Sequence, residues 1–295
     1  MLHRIARRFR RLTWWQWGLV GIASASLVQV VLLLELWREK TLVADLANRG
    51  VLVAMRPALC DTALWQFNAV RTVGRFVEFP VSATFPYEID VSTDAIRRLR
   101  WLPSLNSVTF GDRWATRRKE SLPLAPAGRF VCDDDLVAVG RLKQIRQLAF
   151  SYSNITNEGL RHLTPLTSLW WLELKRAHIG DAGLVHVGCL TSLKRLSLEQ
   201  TRVTGTGLSH LKPLRELTWL SLQSTPLEDG SLAHLAVLPK LRHLDLDLTP
   251  ITDKSIDDLA QLTSLTELSV TGLSDDGMDQ LRRRLPKCRV THGPN

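Results

Sequence analysis

With 295 residues, 38 Lys and Arg against 29 Asp and Glu, and a formal net charge of +9, the chain is basic, but unevenly so. Residues 1–40 hold seven basic residues against Glu35 and Glu39, a surplus of +5, and the remaining +4 is spread over all that follows. Charge placed in this way belongs to a tail and does not imply nucleic acid, and no RNA- or DNA-binding motif accompanies it.

Residues 1–13 form a basic segment with Arg4, Arg7, Arg8, Arg10 and Arg11. Trp14 to Leu34 then runs for 21 residues without a charge. As a helix rising about 1.5 Å per residue this spans about 31 Å, the thickness of a bilayer core. Trp14, Trp15, Trp17 and Trp37 flank it as an aromatic belt does. Residues 14–36 are therefore expected to be a transmembrane anchor. The positive-inside rule then puts residues 1–13 in the cytoplasm and the rest in the cell envelope. A cleaved signal peptide is the competing expectation, because Ala23-Ser24-Ala25 resembles a processing site. The apolar run continuing through Leu27, Val28 and Val30 to Leu34 is longer than a signal peptide needs.

Residues 37–80 read as a juxtamembrane segment and N-terminal cap. Leu42, Val43 and Leu46 predict a short helix that stops at Asn48-Arg49-Gly50. Val51-Leu52-Val53 predicts a strand. Pro57, Trp65, Phe67, Phe76 and Phe79 are suited to cover the open end of the domain that follows.

From residue 81 to 290 the chain is periodic. An apolar triplet recurs six times at a spacing of 24 residues: Ile145/Leu148/Phe150, Leu169/Leu172/Leu174, Leu193/Leu196/Leu198, Leu217/Leu220/Leu222, Leu241/Leu244/Leu246 and Leu265/Leu268/Val270. A fixed period of this length means a solenoid. Alternation within the triplet predicts a short strand with one buried face. A second apolar set follows, such as Leu160, Leu163 and Leu166, at helical spacing. Thr156-Asn157, Asp181, Thr204 and Thr252-Asp253 lie between strand and helix and are expected to be N-caps. The register reaches back through Val131/Leu136/Val139/Leu142 and Leu105/Val108/Phe110. Between these two sets an insertion, residues 111–130, must loop out. After Val270 the pattern shortens by two residues, and residues 291–295 are a tail.

These residues resemble those of leucine-rich repeat proteins, in the subtype with I-T-D-x-G-L between strand and helix. Ile155-Thr-Asn-Glu-Gly-Leu160 and Ile251-Thr-Asp-Lys-Ser-Ile256 carry that signature. The subtype is similar to ribonuclease-inhibitor-like repeats, to bacterial repeat proteins and to the repeats of F-box proteins. The resemblance implies an α/β solenoid, a horseshoe with a parallel concave sheet and helices on the convex side. The Asn or Cys that many such families place after the strand is replaced here by Ser153, Ala177, Thr201, Thr225 and Thr249. The hydroxyls among them are expected to satisfy turn backbone groups.

Four cysteines, Cys60, Cys132, Cys189 and Cys288, show neither a CxxC pair nor zinc spacing. The last three lie in units that are not neighbours in the stack and are expected to be single buried residues. His162, His186, His210 and His234 recur at 24 residues on the helical side. Packed helices stand about 8–10 Å apart, too far for several imidazoles on one ion. A duplicated surface residue is the expectation, with no metal and no cofactor.

The face between the buried leucines is where function is expected. One outward column reads Ser107, Gln147, Trp171, Arg195, Trp219, His243, Glu267. Strands lie about 4.8 Å apart, which permits stacking and cation–π contact between Arg195 and its Trp neighbours. The adjoining columns bring Glu173 and Asp245, then Lys175, Glu199 and Asp247. Exposed Trp beside Arg, with an acidic rim, is the composition of a protein-binding hot spot. No Gly-rich phosphate loop, GxSxG or HExxH is present, so no catalytic residue is assigned. The sequence thus points to a membrane-anchored, non-enzymatic module binding a protein or peptide. A structural envelope protein acting by lateral self-association and an adaptor recruiting substrate to an enzyme are the alternatives.

Overall fold

The computed structural model describes residues 41–49, 52–57, 78–85, 93–102, 105–111 and 130–292. The basic tail, the 14–36 segment, Cys60 and the Arg113–Lys119 insertion lie outside the described residues. Among the described residues no helix is long and apolar enough to cross a membrane. The chain divides into two units, Met1–Asp45 and Leu46–Asn295. Residues 41–48 are helical, as the Leu42/Val43/Leu46 spacing predicts.

The second unit is built on one ten-stranded sheet whose strands lie side by side in chain order. They are β1 (Leu52–Pro57), β2 (Glu78–Phe85), β3 (Ser107–Phe110), β4 (Gln147–Ser151), β5 (Trp171–Lys175), β6 (Arg195–Ser197), β7 (Trp219–Ser221), β8 (His243–Leu246), β9 (Glu267–Val270) and β10 (Arg289–Thr291). β1 pairs antiparallel with β2, and β2 to β10 are parallel. Parallel neighbours need a crossover. Here it carries short helices: α1 (Thr93–Arg98), α2 (Asp133–Val139), α3 (Leu184–Val187), α4 (Ile256–Ala260) and α5 (Asp275–Arg284). In three units the crossover is a 3-10 helix instead, Gly159–Leu163, Thr206–Leu211 and Leu232–Val237. Apolar residues three apart, such as Leu160 and Leu163, suit its three residues per turn.

The strand register is the sequence period. Leu148, Leu172, Leu196, Leu220, Leu244 and Leu268 are successive partners across β4 to β9. All six are at most 2% exposed. Phe110 and Phe150 are partners in the next column, and their rings stack with centroids 5.1 Å apart. Each buried leucine contributes roughly 1.5–3 kcal/mol, and one unit exposes that face unless its neighbours cover it.

The turn carboxylates act differently from the expected N-caps. Of the expected set only Thr252 accepts a bond in the first turn of its own helix, from the Lys254 N–H at 3.3 Å. The acidic residues reach forward into the following unit. Asp181 Oδ2 accepts from the Thr204 hydroxyl, and its Oδ1 from the Gly205 and Gly207 N–H groups at 3.1 and 3.0 Å. Asp133 binds Thr156, Asp229 binds Thr252 and Ser255, Asp253 binds Ser274, and Asn157 accepts from the Gly180 N–H. The N–H groups at a helix start have no intrahelical acceptor, and here the carboxylates of the preceding unit supply one. Gly207 makes room for this contact, since a Cβ there would stand 2.6 Å from the Asp181 carbonyl oxygen.

A second ladder closes the strand ends. Tyr152, Arg176, Gln200, Ser224 and Leu248 all take positive φ, between 54° and 58°. Non-glycine residues adopt this region at a cost. The cost is offset because four of their N–H groups donate to carbonyls of the next unit: Lys175, Glu199, Gln223 and Asp247. Leu248 donates to the Thr271 hydroxyl instead. Of the hydroxyl residues that follow, the three threonines behave as expected, whereas the Ser153 hydroxyl is buried and bonds no turn group. Thr201, Thr225 and Thr249 donate to the carbonyls of Leu198, Leu222 and Leu246 at 2.6–2.7 Å.

Candidate binding face

Helices cover one face of the sheet, and the other carries the side chains between the buried leucines. The pairings Gln147–Trp171, Trp171–Arg195, Arg195–Trp219, Trp219–His243 and His243–Glu267 set the predicted column in a line across six strands. The Arg195 guanidinium lies over the Trp219 ring, 4.9 Å from its centroid. His243 Nδ1 stands 3.0 Å from Glu267 Oε2. Arg195 is exposed, while Trp171, Trp219 and His243 are half-buried because neighbours one strand away cover part of each.

The adjoining columns are more enclosed than an acidic rim. Glu173 accepts from the Ser151 hydroxyl at 3.4 Å. Lys175 and Glu199 form an ion pair at 2.8 Å with both side chains under one-fifth exposed. Asp245 is half-buried and accepts from the Asp247 N–H at 3.0 Å and the Ser221 hydroxyl at 3.3 Å. Asp247, expected on the open surface, is only 5% exposed. The cause is local: Ser269 donates to its Oδ2 at 2.7 Å, and the left-handed Leu248 bends the chain immediately after it. Burial pushes the Asp245 carboxyl above its ordinary value, and the nearby charges of Asp247 and Glu199 push the same way.

Over the C-terminal half of this face lies a groove of about 320 Å³. Trp219, His243, Asp245, Glu267 and Ser269 line it, together with Arg289 and Thr291 from β10. Sequence reasoning missed Arg289. It follows Glu267 by 22 residues rather than 24, so it falls out of the column when counted by period. The signal was present in Cys288-Arg289-Val290, whose apolar residues flank an outward one.

The other expected features fall elsewhere. His162, His186, His210 and His234 all lie on the crossover helices, away from the open face. Among the described residues no group of three or more His, Cys, Asp or Glu is arranged to hold a metal ion. Cys288 is buried, and burial and the Glu267 charge push its thiol up to about 11. Cys189, expected to be buried, is exposed. It lies in the turn after α3, where its thiol donates to the Val185 carbonyl at 3.5 Å and the core position is taken by Leu190.

A family model described as Leucine Rich repeat matches residues 237–260, which is one 24-residue unit. No curated protein matches the chain. Among solved structures it is similar to a leucine-rich repeat protein of Leptospira interrogans, with 24% identity and a TM-score of 0.48 over 66% of this chain and 50% of that one. The chain thus spans half the length of that protein. Two internalins of Listeria monocytogenes are also similar. InlC2 is 22% identical with a TM-score of 0.44, over 65% of this chain and 80% of its own. InlF is 18% identical with a TM-score of 0.42, over 68% and 71%. The 24-residue register, the nine parallel strands and the matched unit together make the domain a leucine-rich repeat solenoid.

Proposed function

We propose that the chain is a membrane-anchored, non-enzymatic recognition module that binds a protein or peptide through the open face of its sheet. The observation that carries this reading is the Trp171–Arg195–Trp219–His243 column, flanked on one side by acidic columns. Half-buried aromatics beside an Arg supply large contact area and little loss of conformational freedom, which is the make-up of hot spots. Recurrent leucines explain the fold but not two tryptophans on its outer surface, where serine would satisfy the same strand.

The test is capture by crosslinking with the full chain and with two double variants. Trp171→Ala with Trp219→Ala should cost roughly 2 kcal/mol of affinity, about a thirtyfold loss. His186→Ala with His210→Ala, on the helical side, should leave capture unchanged. Unchanged capture in the Trp variant, or loss in the His variant, would show that the wrong face was chosen.

Anchoring through residues 14–36, with the repeats in the cell envelope, rests on the uncharged run and the arginines before it. A reporter active only outside the cytoplasm, fused after Asn295, should be active. Activity of a cytoplasmic reporter at the same position would reverse the orientation.

A further inference from the structure

We propose that the groove over β7 to β10 is a subsite for one cationic side chain, lysine or arginine, of the partner; the proposal rests on the reading of the open face as the binding surface. Three observations meet there. The first is shape. The groove holds about 320 Å³, and Trp219 forms part of its wall. An indole beside a carboxylate suits the hydrocarbon stem and charged head of Lys or Arg, the stem packing on the ring while the head meets the charge.

The second is charge without a counter-ion. Asp245 lines the groove, and Asp247, two residues on and buried, donates its backbone N–H to Asp245 Oδ1. Among the described residues neither carboxylate has a cationic partner, and Lys175, the lysine in the same outward column three strands away, is paired with Glu199 at 2.8 Å. Asp247 is 5% exposed, and its Oδ1 has no hydrogen-bond partner in the structure. An uncompensated carboxylate in a low-dielectric surrounding is costly, and a cation on the groove side of Asp245 offsets that cost. Asp245 stands in that accumulated negative charge. Burial raises its carboxyl first, and Asp247 and Glu199 raise it further.

The third is the limit on what fits. Arg289 on β10 also lines the groove, two strands from Asp245, about 10 Å across the sheet. It excludes a run of basic residues crossing toward β10 and leaves room for one positive group against Asp245. The carboxylates do not form a compact metal cage either, as no set of three is so arranged among the described residues.

The probe is a library of random dodecapeptides panned on the immobilised full chain. Recovered peptides should carry a Lys or Arg whose replacement by norleucine or citrulline weakens binding at least tenfold. Asp245→Asn with Asp247→Asn should give the same loss, and combining the peptide and protein changes should cost no more than either alone. Asn preserves the shape of each carboxylate and its contacts to Ser221 and Ser269, so the fold is retained. Asp245→Lys, which places a cation on the groove directly, should abolish binding of the same peptides. Peptides lost in the Trp171→Ala/Trp219→Ala variant but indifferent to both charge changes would overturn the cation subsite and leave the binding face standing. Peptides indifferent to the Trp variant as well, or no enrichment over bare matrix, would overturn both.

Discussion

Replacing Leu196 by Asp should unfold the central repeats, whereas Lys194→Asp, two residues away, should change stability by well under 1 kcal/mol. Leu196 is fully buried and is the direct partner of Leu172 on one side and Leu220 on the other. The substitution removes roughly 1.5–3 kcal/mol of apolar burial and adds an unpaired buried carboxylate that costs several kcal/mol more. Nearest-neighbour coupling spreads the loss, since the units of Leu172 and Leu220 both lose their covering face. Lys194 lies at the solvent-facing edge before β6, where its exchange alters only screened surface charge. Urea titrations of the two variants decide the matter. Coincident midpoints would mean that the leucine register is not what holds the solenoid together.

That register was fully legible in the sequence, because a buried leucine column has no substitute and each unit restates it. The outward columns were equally legible, since strand alternation fixes which residues share a face. Trp171, Arg195, Trp219 and His243 therefore fall in line as counted. What sequence did not reveal is how closed the acidic side of that face is. The burial of Asp247 depends on a hydroxyl from the next strand and a left-handed turn at Leu248, and composition gives no hint of either. The five left-handed residues were invisible for a related reason. Glycine marks that conformation in most chains, but here inter-unit hydrogen bonds hold Tyr152, Arg176, Gln200, Ser224 and Leu248 in it without glycine. Arg289 escaped because the last unit is two residues short, and only a spatial register, not a counted one, restores it to the Glu267 column.

The turn aspartates accept backbone N–H bonds, as caps do, but from the following unit rather than from their own helices. Asp181→Ala should destabilise the solenoid by about 3 kcal/mol. Three backbone donors, on Thr204, Gly205 and Gly207, lose their acceptor together, at about 1 kcal/mol for each partly buried donor. The effect should depend on pH. Burial opposes ionisation of Asp181, but the Thr204 hydroxyl and the three N–H groups outweigh it and hold the carboxyl below its ordinary value. Asp229, by the same balance, and Asp253, chiefly through Ser274, are lowered as well. A lowered carboxyl means that the unfolded chain binds more protons in acid, so stability rises with pH there. The contribution is complete above the unfolded value of about 3.9 and is lost as pH falls through the folded one. Asp245 works in the opposite sense, being raised, so its contribution favours the folded chain at lower pH. Asp181→Asn keeps one acceptor and removes the charge, so it should lose less than Ala at neutral pH. The gap between wild type and Asp181→Asn should then narrow toward about pH 3, below the unfolded value of about 3.9, because the unfolded chain takes up its proton first. Urea midpoints at the two pH values measure this directly. A gap of constant size would mean that Asp181 serves the turn by shape alone and that its charge contributes nothing to the joint between units.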